Sequence, residues 1–175
     1  MNATIVALGT VCAAALGCAP HRPDSGIGAS SSADSIVLER TRCFGSCPTY
    51  RVSATHDGRI AFESRDPREP GRTATDAIAP SAFVRLVERA NAIGFSTLPD
   101  TILGDRVLCP RAATDMPTAI VSVYAHGTVD RVVDYYGCFP ESDRSDAERL
   151  TQLRAFEASI DSVTGSSRWI AKPKR

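Results

Sequence analysis

Between residues 49 and 56 the chain reads TYRVSATH, placing Tyr50, Val52, Ala54 and His56 on one face of an extended backbone and Thr49, Arg51, Ser53 and Thr55 on the other. Unbroken period-two alternation of this length marks a strand with one buried face and excludes a helix there. Asp57-Gly58 follows at once. That dipeptide suits a two-residue hairpin turn, because both central positions of such a turn need positive φ. Ile60 and Phe62 then alternate against Arg59 and Glu63, as a returning strand requires. Residues 35–40 (SIVLER) read as a strand before this hairpin, and residues 73–78 as one after it.

A change of period marks the first helix. After Pro80, whose fixed φ and missing N–H fit a first helical turn, Phe83, Leu86, Val87 and Ala90 recur at spacings of three and four. Gly94 followed by Phe95 reads as a C-terminal cap with its apolar contact. The second half repeats the plan. Residues 118–125 and 128–135 are β-rich runs around His126-Gly127, and Ser145-Asp146-Ala147-Glu148 is a capping box ahead of a buried stripe of Leu150, Leu153, Phe156, Ile160 and Val163. The two halves share no residue-level identity. The expected fold is α+β in two layers: an antiparallel sheet of about five to six strands, built from two hairpin-then-helix halves, with two helices on one face. Long loops at 65–72 and 98–117 connect the pieces.

The N-terminus carries an address. Residues 1–17 contain no charged side chain and are rich in Ala, Val, Leu and Ile, too short to span a bilayer and of the length of a secretory signal core. They run through Ala15-Leu16-Gly17 into Cys18, which resembles the lipobox of bacterial lipoproteins. That resemblance implies cleavage before Cys18, lipidation of its thiol and anchoring to a membrane of the cell envelope, on the outer membrane's periplasmic side in a Gram-negative host. A secretory protein without a lipid is the alternative. Residues 18–34 are dominated by Pro, Gly, Ser and Ala, the composition of a flexible tether. The expected domain spans 35–170, and residues 171–175 form a basic tail.

Of 175 residues, 20 are Lys or Arg and 20 are Asp or Glu, so the formal charge is zero. Without a basic surplus, nucleic acid is not an expected partner. The expected partners are the membrane, through the lipid, and an envelope protein or ligand.

Beyond Cys12 and Cys18, four cysteines remain: Cys43, Cys47, Cys109 and Cys138. In an exported chain an even number implies disulfides, and four cysteines allow three pairings. The favoured one is Cys43–Cys47, around Gly45 and before Pro48, with Cys109–Cys138 tying the loop before the second hairpin to that hairpin's end. Zinc is disfavoured because the second pair lacks ligand spacing, so no metal or cofactor is expected. Thiol exchange at Cys43 and Cys47 is disfavoured because three residues separate them and the segment leads into a strand.

The run RTRCFGSCPTYRVSATHDGRIAFE, with TDMP at 114–117, YYGC at 135–138 and RWI at 168–170, resembles a family of bacterial exported and lipoprotein-like proteins classed as a domain of unknown function. The resemblance implies the domain boundary and the export, and brings no reaction or catalytic residue with it.

Few residues invite chemistry. His21 lies in the tether, while His56 and His126 fall at the two hairpin turns. They read as turn residues, or as a metal or acid–base pair if the hairpins bring them beside carboxylates such as Asp57 and Asp130. Asp115 reads as a turn former, and is the first candidate should there be a catalytic acid. Tyr135, Tyr136 and Phe139 read as packing around the Cys138 bridge, or as a ligand platform. Neither GxSxG, HExxH, a phosphate-binding GxxxxGK[ST] nor GxGxxG occurs. The function expected is a non-enzymatic binding or structural module. A small-ligand or enzyme-inhibitor binding protein using the 98–117 loop is one alternative, and a redox protein using Cys43 and Cys47 is another.

Overall fold

A computed structural model describes residues 33–140 and 145–170. The signal segment, Cys18 and His21 lie outside the described residues, as do residues 141–144 and the basic tail, while the expected capping box of residues 145–148 falls within the first turn of the second helix. The strands are β1 (Ala33–Arg40), β2 (Tyr50–Thr55), β3 (Arg59–Ser64), β4 (Thr73–Ala77), β5 (Thr118–Ala125) and β6 (Thr128–Tyr135). The helices are α1 (Pro80–Ala92) and α2 (Ser145–Thr164), each followed by a short 3-10 turn, Phe95–Thr97 and Ser166–Arg168.

The six strands form one antiparallel sheet in the order β4-β3-β2-β1-β5-β6. The α+β expectation holds, but the halves are unequal. The first is a four-stranded meander, and the chain then passes through α1 to lay β5 against β1 instead of β4. This makes β1 central, which its apolar run Ile36-Val37-Leu38, buried throughout, allows. The first strand also starts earlier than the composition implied. Ala33 is buried and pairs with Ala125, and Asp34, at a register shift, accepts the His56 N–H on its carbonyl and the His126 N–H on its carboxylate. Residues 33 and 34 therefore belong to the sheet and not to the tether.

Inward side chains cross the sheet in rows. One row, Phe62-Val52-Leu38-Val121-Val132, is apolar and buried from end to end. On it pack Phe83, Leu86, Val87 and Ala90 of α1 and Leu150, Leu153, Phe156 and Ile160 of α2, in one continuous core. At about 25 cal/mol per Å² of apolar surface, each such side chain contributes roughly 1.5–3 kcal/mol. Val163 is only partly buried at the margin of that stripe.

The turn between β2 and β3 is not the expected two-residue one: His56, Asp57 and Gly58 connect Thr55 to Arg59, the Gly58 N–H donates to the Thr55 carbonyl at 2.8 Å, and of the three only Gly58 takes positive φ. It needs its glycine twice over. Gly58 has φ 86°, and a Cβ there would stand 2.2 Å from the carbonyl oxygen of Ile78.

The 98–117 loop is more ordered than its composition implied. It edges β6: the N–H of Val133 donates to Asp100 and that of Ile102 to Val133, both at 2.9 Å. Farther on, Ala112 bridges to Cys138, and the disulfide Cys109–Cys138, with Cα atoms 4.9 Å apart, closes the segment. The sequence carries little sign of this, because single backbone bridges leave no periodicity; buried Ile102 and Leu108 are the anchors. At the opposite edge β4 is short, and the Asp76 carboxylate takes the Ala77 N–H at 2.8 Å, which blunts an otherwise open strand.

Candidate functional site

Next to the apolar row lies a different one: Ser64-Tyr50-Arg40-Ala119-Asp134. Arg40 shares the inward parity of Ile36 and Leu38, so the strand period drives a guanidinium beneath α2. A charge there requires partners. The helix supplies them from Glu157 and Asp161, and presents Arg154 to Asp134 of the same row; spacings of three and four align the three residues on one face. Arg40 donates through Nη2 to Asp161 Oδ2 at 2.8 Å and through Nη1 to Glu157 Oε2 at 3.2 Å, and Nη1 also donates to the Tyr136 hydroxyl. Tyr136 donates in turn to Glu157. Asp161 Oδ1 accepts from Tyr50 at 2.5 Å and from Ser166 at 2.8 Å. Arg154 forks onto Asp134 at 2.8 and 3.2 Å, and its Nη2 also reaches the carbonyls of Tyr135 and Cys138. Both guanidiniums lie near the Tyr136 ring, 5.2 Å (Arg40) and 5.0 Å (Arg154) from its centroid.

Every buried side-chain polar atom among the described residues has a partner. The charges do not balance, however: two guanidiniums face the three carboxylates Asp134, Glu157 and Asp161. The side chain of Glu157 is 1% exposed. Burial and the Asp134 carboxylate push it up to about 7, against the opposing pull of Tyr136, Arg40 and Arg154. Burial and Asp161 likewise push the Tyr50 phenol up to about 12, and burial with Glu157 raises that of Tyr136. Burial opposes the charge on Arg40, but Tyr136, Asp161 and Glu157 outweigh it and hold the guanidinium protonated.

Above this network opens a cleft of about 240 Å³, with Arg40, Tyr50, Tyr136 and Asp161 on its polar side and Cys47, Pro48 and Pro117 on its apolar side. Segments far apart in sequence meet at its mouth. Thr41 and Thr118 exchange hydrogen bonds, Phe44 donates its N–H to the Asp115 carbonyl at 3.0 Å, and Tyr136 donates its N–H to Pro117 at 2.9 Å. Tyr135 points away from its neighbour, accepting the Met116 N–H and donating to the Ala113 carbonyl at 2.8 Å. The disulfide Cys43–Cys47, with Cα atoms 5.6 Å apart, closes the loop that carries Phe44. Phe44 itself is 90% exposed, and Met116, on the segment paired with it, is 40% exposed.

The residues picked out from sequence fall in three places. Asp115 is exposed, has φ 66° and belongs to the turn at the cleft mouth, where its carbonyl and not its carboxylate holds Phe44. His56 and His126 are exposed on the opposite rim, their backbones joined through Asp34. Among the described residues no group of three or more His, Cys, Asp or Glu side chains could hold a metal ion. The aromatic trio separates: Tyr136 enters the network, Tyr135 staples the loop, and Phe139 is half exposed. Arg40, Tyr50, Asp134, Arg154, Glu157 and Asp161 were missed. A signal for them existed, since Arg40 and Asp134 occupy inward strand positions and Glu157 lies within the apolar stripe of α2.

The fold and its bridges define a disulfide-stapled, two-layer α+β domain with a buried ionic network under a small cleft. Residues 34–162, well over half of the chain, match the family described as a domain of unknown function, DUF6438, and the chain belongs to that family. No curated protein matches it.

Proposed function

We propose that this protein is an exported, lipid-anchored binding module of the bacterial cell envelope, tethered through Cys18, that engages an envelope protein with the Phe44 loop and the cleft beside it. The observation that carries the reading is Phe44: a large apolar side chain held 90% exposed on a loop closed by a disulfide and pinned by a backbone hydrogen bond. Such a residue loses little freedom on binding, and burying it in a partner yields roughly 1.5–3 kcal/mol, about ten- to a hundredfold in affinity. The network under the cleft supports the reading by fixing the walls against which a partner would pack. The test has two arms. Cys18→Ser moves the protein from the membrane to the soluble fraction, and Phe44→Ala abolishes retention of an envelope protein held by the wild type while thermal stability is unchanged. Membrane retention without Cys18, or retention indifferent to Phe44, refutes the corresponding part.

A second reading is favoured by one contrast. Cys47 lines the cleft and the Cys43–Cys47 bridge is half-buried, whereas Cys109 and Cys138 are 8% and 0% exposed. Thiol–disulfide exchange at the accessible bridge predicts a reduction potential of roughly −120 to −230 mV, and a structural staple predicts one below roughly −300 mV.

A further inference from the structure

Around the Phe44 loop most carboxylates are already matched. Asp66 is clasped by Arg68 at 2.6 Å, Glu69 pairs with Arg72 at 2.7 Å, and Asp161 with Arg40 at 2.8 Å. Arg42 differs from these guanidiniums. It stands two residues before Phe44, is exposed, and forms no ion pair among the described residues. The Asp66 carboxyl, held low chiefly by its hydrogen bonds from Arg68, feels the Arg42 charge as well. The described chain also ends beside this loop. Trp169 and Ile170 line a pocket of about 240 Å³ together with Ser46 and Pro48, so the last described residue lies across a small pocket from the Cys43–Cys47 turn. Beyond it the sequence runs Ala171-Lys172-Pro173-Lys174-Arg175, three cations and no carboxylate side chain. At no more than about 3.6 Å per residue, all three stay within roughly 18 Å of Ile170. Against these cations stands Asp115, exposed at the cleft mouth and in no ion pair among the described residues.

An exposed aromatic ring amid surplus cations fits two kinds of surface: an apolar pocket with an acidic rim on a protein, or an anionic bilayer. The course of β1 chooses between them. Its first residues lie at the end of the sheet where Asp34 binds the His56 and His126 backbones, and its last, Arg40, leads into the Phe44 loop. The eight residues of β1 hold those two ends roughly 25 Å apart. A flexible chain of the 14 residues from Ala19 to Ser32 averages roughly 20 Å from end to end. On average it is too short to run back along the sheet and turn Phe44 toward a leaflet that holds Cys18. A protein met on the far side of the domain is the occupant that fits.

We infer that the partner of the Phe44 loop is a protein with an acidic surface, whose carboxylates ring the pocket that takes Phe44 and pair with Arg42, Lys172, Lys174 and Arg175, on the side of the domain away from the anchoring leaflet. The inference rests on the Phe44 reading above and adds the charge and the direction of the partner. With p-benzoylphenylalanine in place of Phe44 in the full lipidated chain, photolysis in isolated envelopes reports what touches that position. The expected product is a protein adduct whose yield falls about tenfold when Arg42→Gln, Lys172→Gln, Lys174→Gln and Arg175→Gln are combined, and by a similar factor when salt rises from about 50 to about 500 mM. The melting temperature of the combined variant is expected to be unchanged. A protein adduct of undiminished yield in the combined variant or at high salt leaves the Phe44 reading standing and overturns the acidic partner. An adduct with phospholipid overturns both the protein partner and its direction. Absence of any adduct removes the Phe44 reading and this inference with it.

Discussion

Glu157 offers the sharpest quantitative test of the buried network. Its carboxyl belongs near 4.5 in an unfolded chain and is pushed up to about 7 in the folded one, first by burial and then by Asp134. The folded state therefore binds its proton more tightly than the unfolded state. Stability contributed through this group is fully present below pH 4.5 and is lost as pH rises toward 7, with the whole penalty in force above that. The difference of about 2.5 in pKa corresponds to roughly 3 kcal/mol, or about 10 °C in melting temperature for a domain of this size. Glu157→Gln keeps an oxygen to accept from Tyr136 and Arg40 but removes the titration. Urea denaturation of both proteins at half-unit steps from pH 4.5 to 8 isolates the effect, because His56, His126 and all other groups are common to the pair. The wild type is expected to lose stability relative to the variant across that range. A difference that is flat with pH, or one that runs the other way, refutes the assignment of Glu157 as the proton that balances two guanidiniums against three carboxylates.

Arg40→Met removes the central cation and leaves Glu157 and Asp161 facing one another; equilibrium denaturation at pH 7.5 is expected to register a loss of about 3–5 kcal/mol, and a loss below about 1 kcal/mol would mean the network is not desolvated. The two bridges differ in loop length, four against 29 residues of separation. Replacing Cys109 and Cys138 by Ser is therefore expected to cost roughly 3.5 kcal/mol, and replacing Cys43 and Cys47 about 2 kcal/mol, measured as shifts in the urea midpoint at constant slope.

Much of the architecture was legible because it is local. The alternation from Tyr50 to Ala54, the Asp57-Gly58 turn, Pro80 at the first turn of α1 and the left-handed Gly94 before buried Phe95 each follow from the chemistry of a few adjacent residues. The charged residues were harder to read because a sequence displays parity but not cover. Arg40 closes its strand at an inward position, and at a sheet edge or under no helix it would be an ordinary solvated arginine. Tyr135 and Tyr136 are adjacent and chemically alike, and opposite sides of one backbone send them to unrelated tasks.

By itself, then, the sequence determined the strands, the hairpin turns, the apolar stripe of each helix and the supply of four domain cysteines, since propensity, turn geometry and periodicity act over a few residues. Tertiary structure alone decided that β5 returns to β1 and that α2 lies across the row holding Tyr50, Arg40 and Asp134. It also decided that residues 41–48 and 115–118 meet around one cleft. Those outcomes depend on desolvation and pairing between groups as many as 121 positions apart, as in Arg40 and Asp161. The energy of such a pair arises only once the intervening chain has packed.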